Sequence, residues 1–289
     1  MLSAATGRLL WPVARWIGRR LGDVAYICTA GRRRTALANL AQAFPQLSPA
    51  ARRRICRRSY RHLGVMAVEL ATMLARPLEA TLARVRIDGL EHLQAVMDAH
   101  GRALLLTAHL GNWELLPAAN HVTGYPLSVV IRPLDAPWLD SLATRLRRKT
   151  SVALIDKRAA LRPVLQALAN RGMVGILLDQ NASRREGVFV PFFGRLASTS
   201  KSIAVLAIRT GTPIVPTFIR RENAGTHRIV IRPALPLPDA RDRETAVVAL
   251  TVRCTEAIET AVCETPEQWL WMHNRWRTRP PEEAQERMD

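Results

Sequence analysis

A histidine that follows a short apolar run, with a carboxylate five residues on, is the pairing in this 289-residue chain best suited to moving a proton. It lies in Thr107-Ala-His-Leu-Gly-Asn-Trp-Glu114, directly after Ala103-Leu-Leu-Leu-Thr-Ala108. If that run is a strand, His109 stands at its carboxyl end, where open α/β sheets collect their functional groups. Gly111 permits a tight turn, Asn112 is placed to cap the next helix, and Glu114 falls in that helix's first turn. A carboxylate there reaches back to the imidazole, fixes its tautomer and leaves the other ring nitrogen as a base. That chemistry suits taking a proton from a hydroxyl as it attacks an acyl group. A histidine after a strand is as readily structural, so the pair alone does not decide. A metal site is not expected: His100 and His121 are the nearest histidines, the HExxH spacing is absent, and the four cysteines form no CxxC pair. So few unpaired cysteines in a chain this long point to a reducing compartment or a fold without disulfides.

The elements that must position these residues are legible as texture. Residues 32–76 read as helices, with Ser48-Pro49 as N-cap and first helical position, and Ile55, Ser59, Leu63, Met66, Leu70 and Met73 at helical spacing. After Pro77, short apolar strands are expected at 84–88, 103–108, 127–131, 152–155, 174–178, 213–219 and 227–232. Helices are expected between them, at about 90–99, 112–122, 137–149 and 158–171, and a long one at about 243–264. Fully apolar strands spaced by helices indicate an α/β fold with a largely parallel, mixed sheet flanked by helices. With no repeat and no low-complexity linker, the simplest division is an N-terminal segment, 1–31, and a single domain over 32–289.

The formal charge of +18 is unevenly placed: residues 1–62 hold thirteen arginines and a single acid, Asp23. Such a field attracts polyanions, either nucleic acid or a membrane bearing acidic head groups, and composition does not separate the two. The first helix favours membrane. At about 100° per residue, Leu9, Val13, Ile17, Leu21, Val24 and Ile27 share one arc of about 120°. Arg8, Arg15 and Arg19 lie opposite, Arg20 interrupts the apolar side, and Trp11 and Trp16 add interfacial anchors. No stretch of about 18 uncharged apolar residues exists, so an in-plane helix is expected rather than a spanning one. The alternative is a helix packed on its own domain. No apolar run with a small-residue cleavage site marks a signal peptide. The basic region lacks stacking aromatics and any recognisable binding motif, which counts against nucleic acid.

His109-Leu-Gly-Asn-Trp-Glu114 resembles the H-x4-D/E motif of the glycerolipid and lipid A acyltransferases, in the form seen in the lipid A (lauroyl/myristoyl) branch. Further blocks follow in order from about residue 32 to 280. They are Leu37-Ala-Asn-Leu-Ala-Gln-Ala-Phe-Pro45, Ile131-Arg-Pro-Leu134, Leu178-Asp-Gln180, the loop Val190-Pro-Phe-Phe-Gly-Arg195, Thr210-Gly-Thr-Pro-Ile-Val-Pro216 and Gln268-Trp-Leu-Trp-Met-His-Asn-Arg-Trp276. The resemblance implies a glycerolipid acyltransferase-like fold on the cytoplasmic face of the inner membrane, in contact with membrane lipids. It implies transfer of a fatty acyl chain from an acyl carrier protein or coenzyme A thioester to a hydroxyl of a lipid A precursor, without metal or organic cofactor. A lysophospholipid or another glycolipid is the alternative acceptor. Carried over by motif, His109 is the general base and Glu114 its orienting partner. Arg132 faces anionic acceptor groups or the developing oxyanion, and Asp179 and Gln180 shape the acceptor site. Asp179 and Gln180 also fit a plain cap or turn pair. Arg184, Arg185 and Arg195 either meet lipid phosphates or are solvated. Phe192 and Phe193 wall an acyl slot or pack in the core, and Trp269, Trp271 and Trp276 are spaced to share a helix face against the sheet. Two departures concern the acceptor: Leu196-Ala-Ser-Thr-Ser-Lys201 stands where the family has a glycine-containing run, and Asn274 where it has a basic residue.

Overall fold

Short parallel strands need helical crossovers, and the chain supplies them in sequence order. A computed structural model describes residues 2–131, 144–145, 149–150, 152–222, 225–239 and 242–281, with side chains from residue 11 onward. Arg132, and all but a few residues of the helix expected at 137–149, lie outside the described residues. Three helices open the chain: α1 (Leu2–Cys28), α2 (Ala30–Ala43) and α3 (Pro49–Ala75). The Ser48 hydroxyl caps α3 by accepting from the Ala51 N–H at 3.2 Å, and the helix stops at Arg76, extended because Pro77 follows. Then come α4 (Leu78–Leu82), β1 (Val85–Asp88), α5 (Leu90–His100), β2 (Ala103–Thr107), α6 (Leu115–Ala119), β3 (Leu127–Ile131), β4 (Ala153–Asp156), α7 (Leu161–Ala169) and β5 (Met173–Leu177). The remainder is β6 (Gly187–Phe192), β7 (Arg195–Ser200), α8 (Ser202–Thr210), β8 (Ile214–Arg221), β9 (His227–Ile231) and α9 (Arg243–Glu264).

Seven strands form one sheet in the order β1-β9-β8-β2-β5-β3-β4. All neighbours run parallel except β8 and β9, so the expected mixed, largely parallel sheet is what the chain builds. Alternation sorts side chains to two cores. Leu104, Leu106, Val174 and Ile176 face α8, α9 and the C-terminal tail, while Ala103, Met173, Val215 and Ile219 face α5 and α6. Residues 190–195, expected as a loop, instead form the tip of the antiparallel β6–β7 hairpin, turned by Phe193 (φ 50) and Gly194 (φ 70). Two successive positive φ values give the primed turn that matches strand twist. The tail is not helical where its tryptophans lie; Trp269, Trp271 and Trp276 are nonetheless all buried, clustered with Phe192 and Phe193.

The N-terminal helix packs by its glycines. A Cβ on Gly64 of α3 would stand 2.0 Å from the Gly18 carbonyl oxygen, and one on Gly18 would stand 2.6 Å from Val65 Cα. Only glycines allow α1 and α3 to cross this closely. Asp23 is buried at the same crossing, accepting from Arg57 and Arg61 at 2.8 Å each. Those bonds hold its carboxyl at about 2, against the opposing effect of burial. The opposite face of α1 is bare: Val13, Trp16, Ile17, Leu21, Val24 and Ile27 are exposed, from 43% at Ile17 to 69% at Ile27. The predicted apolar arc is therefore not the packing face. Among the described residues no helix is long and apolar enough to cross a membrane.

Candidate active site

Strand register brings the chemistry together. β2 and β5 are parallel neighbours with Thr107 opposite Leu177, so the second residue past each strand end meets its counterpart. Those residues are His109 and Asp179. The Asp179 carboxylate accepts from His109 Nδ1 at 2.8 Å through Oδ1, and from the His109 backbone N–H at 3.0 Å through Oδ2. The Trp269 indole N–H donates to the same Oδ2 at 2.7 Å. Asp179 is 2% exposed. Burial by itself would raise its carboxyl, but the His109 imidazole and the Trp269 and backbone N–H donors reverse this and hold it at about 2. An ionised carboxylate only accepts, so Nδ1 carries a proton, and in the neutral ring the lone pair is then on Nε2. Gln180 lies at that side, its Nε2 3.3 Å from His109 Nε2. The Asp179 carboxylate, which the resemblance places with the acceptor site, thus lies on the imidazole.

Glu114 is half-buried immediately before α6, on the turn that begins at His109. Asn112 does not cap that helix with its side chain: its Nδ2 donates instead to Glu69 of α3 at 2.9 Å. Gly111 adopts φ 61, and a Cβ there would fall 2.1 Å from the Ile219 carbonyl oxygen, so the tight turn does require glycine. Arg195 opens β7 opposite Phe192 in the hairpin register. Arg184 donates to the Arg279 carbonyl at 3.1 Å.

The tail forms the back wall. Leu110 and Trp269 bridge antiparallel, with the Leu270 N–H donating to the His109 carbonyl and the Gly111 N–H to the Gln268 carbonyl, both at 3.1 Å. His273 Nε2 accepts from the Asn181 N–H at 2.9 Å, and burial lowers its pKa to about 4, so it is neutral there. From the other side Asn39 of α2 donates to the Trp271 and His273 carbonyls at 2.8 and 2.6 Å, and Ser59 of α3 to the Trp269 carbonyl at 3.0 Å.

Beside the histidine an apolar cleft opens between the sheet and α6. The Trp113 indole meets the His109 ring edge-on at 5.1 Å and forms one wall. Leu105, Thr107, Val129, Gly175 and Leu177 from three adjacent strands form the floor. Gly175 leaves room at its centre: a Cβ there would meet nothing closer than 3.7 Å. Phe192 and Phe193, weighed as walls of an acyl slot, sit instead in the core on the other face of the sheet. An imidazole backed by a buried carboxylate beside an apolar cleft has the parts needed to move an apolar group by proton-assisted transfer.

The bacterial lipid A biosynthesis acyltransferase family matches residues 5–278, and the chain belongs to that family. It is an O-acyltransferase of lipid A biosynthesis. It is 27% identical to the lipid A biosynthesis lauroyltransferase of Escherichia coli (strain K12), over 94% of this chain and 88% of that protein. The palmitoleoyltransferase of the same organism is 26% identical over 96% and 89%, and its myristoyltransferase 27% identical over 92% and 81%. A 1-acyl-sn-glycerophosphate acyltransferase, PlsC, from Thermotoga maritima aligns with 92% of this chain and 98% of its own, at 16% identity and a TM-score of 0.40, too distant a likeness to bear on the site.

Proposed function

We propose that His109 is the general base for transfer of a fatty acyl chain from a thioester, on acyl carrier protein or coenzyme A, to a hydroxyl on a lipid A precursor. A neutral hydroxyl is a poor nucleophile, so its proton must leave as the new C–O bond forms. In this reading Nε2 takes that proton, Asp179 favours the imidazolium produced, and the proton passes on to the departing thiolate as the C–S bond breaks. The ester and the free thiol complete the balance with no metal or organic cofactor. Gln180 marks the place the acceptor hydroxyl takes, and Glu114, on the turn that begins at His109, keeps the orienting role that the resemblance gives it. The acyl tail lies in the cleft past Trp113. Arg132, outside the described residues, keeps the role the resemblance gives it, at anionic acceptor groups, and Arg195 supports the acceptor side. The bond between Asp179 and His109 Nδ1 carries this reading, because it leaves Nε2 the basic nitrogen.

We also assign α1 to the cytoplasmic face of the inner membrane. Its bare apolar face with Trp16 would lie in the lipid interface, and the arginines of residues 32–62 would meet acidic head groups. Mass spectrometry of a lipid A precursor incubated with the purified protein and an acyl carrier protein thioester tests the reaction. One added acyl residue is expected, and none with His109→Ala. No mass gain with either thioester carrier would refute the reading.

A further inference from the structure

Burying charge is costly, and a buried ion pair seldom stabilises a fold more than apolar side chains of the same volume. One such pair lies deep in this protein, away from His109 yet bonded to the turn that carries it. Glu69, on the inner face of α3, is gripped by the guanidinium of Arg221 at the end of β8: Nε donates to Oε1 at 2.9 Å and Nη2 to Oε2 at 2.6 Å. His227 Nε2 lies 3.2 Å from Oε1. Glu69 and Arg221 are 5% and 8% exposed at their side chains.

The same residues also hold the turn. Glu69 Oε2 accepts from Asn112 Nδ2 at 2.9 Å. His62, one helical face with Glu69, bonds the Gly111 carbonyl through Nε2 at 3.1 Å, while Arg221 donates to its Nδ1. The backbone of Arg221 is fixed by the Gln268 side chain at 2.7 and 2.9 Å, and the Gln268 carbonyl takes the Gly111 N–H. Both backbone polar groups of Gly111 and the Asn112 side-chain amide are therefore held by this cluster and the Gln268 that it fixes. The His62 tautomer is dictated as well: with Arg221 donating to Nδ1, Nε2 must donate to Gly111. Burial and the Arg221 charge keep that ring neutral, its pKa lowered to about 3.

We propose that Glu69, Arg221 and His62 are positioning residues for acyl transfer, which set the His109–Glu114 turn from α3, the helix on which α1 packs. This rests on the acyl-transfer reading above. His62 is its sharpest probe, because one donated bond separates a positioning role from mere bulk.

The test compares His62→Leu with His62→Gln, whose amide N–H reaches where Nε2–H does. Transfer from a C12 acyl carrier protein thioester to a lipid A precursor is measured, together with thermal unfolding and the ring-nitrogen signals of [¹⁵N]histidine-labelled protein. Expected for His62→Leu is a folded protein with kcat down roughly 10- to 100-fold, as small misplacements of a base produce, and donor KM within about twofold. The His109 ring signals should shift or broaden. His62→Gln should recover most of kcat and the wild-type signals. Equal kcat and unchanged His109 signals in the two variants would overturn the proposal. Should His62→Leu not fold, Asn112→Ala, which removes one tie and leaves the ion pair, decides by the same two readouts. The histidine signals need no substrate, so a wild-type protein inactive in transfer would refute the acyl-transfer reading without deciding this one.

Discussion

At the scale of the residue, the chemistry rests on the Asp179 carboxylate bonded to His109 Nδ1. A histidine after an apolar run, followed by a tight turn and an acid, is a local pattern, and the sequence displays it. Asp179 is seventy positions away. Its place beside His109 follows from β2 and β5 being neighbours in register, although β3 and β4 intervene in sequence. No spacing encodes that, whereas Glu114, expected as the orienting partner, belongs to the local pattern. Glu69 left a fainter trace, as the one acid of a helix with six arginines. Gly175 is also silent in sequence, reading as a weak point in a strand, whereas the structure makes it the open floor of the cleft. Gly175→Leu should fill that floor by about four methylene-sized carbons. Acyl selectivity, measured as relative kcat/KM across a series of C8 to C16 thioesters, should move to chains shorter by two or more carbons, with activity on the short chains kept. Loss spread evenly over all lengths would place the acyl chain elsewhere.

At the scale of the element, periodicity located most strands and helices because continuous apolar runs bounded by Gly and Pro leave little choice. It missed β6–β7, where Pro191 and Gly194 mimic a loop while the hairpin closes on a primed turn. It also made α6 longer than its five residues, which give way to a short 3-10 turn at Asn120. For α1 the apolar arc was found but not its surroundings: the helix packs through Gly18 and Gly22, and the arc stays exposed. Removing α1 would uncover α3, so substitutions on the bare face are the cleaner test. Ile17→Glu with Val24→Glu should weaken sedimentation with vesicles of phosphatidylethanolamine and phosphatidylglycerol at least roughly tenfold, since two buried apolar side chains are each worth about 1.5–3 kcal/mol. Thermal stability should change little. Undiminished vesicle binding would take α1 out of the interface.

At the scale of the whole molecule, four interior groups that titrate in the acid range share one sign. Asp179 has a pKa of about 2 and Glu69 lies well below the carboxylate range, both held down by bonds that outweigh burial, while burial lowers His62 to about 3 and His273 to about 4. In each case the unfolded chain binds a proton that the folded protein refuses, so stability rises with pH. The histidine part is fully present above about 6.5 and drains as pH falls toward 3–4. The carboxylate part, present above about 4, is lost as pH falls toward 2. Denaturant melts should therefore show stability falling from pH 7 to pH 4, by at most about 1.4 kcal/mol per pH unit for each histidine. His62→Gln should flatten that slope, and an unchanged slope would mean the ring is not held neutral.

The central claim is that His109 and Asp179 act as one proton-accepting unit. The most direct measurement is a double-mutant cycle on kcat/KM for acyl transfer with His109→Ala, Asp179→Asn and the pair together, all confirmed folded. His109→Ala should lose about 10²- to 10⁴-fold, Asp179→Asn should lose a comparable factor by turning the imidazole to the wrong tautomer, and the double variant should be no worse than His109→Ala alone. Losses that multiply, or a His109→Ala protein that transfers at the wild-type rate, would contradict it.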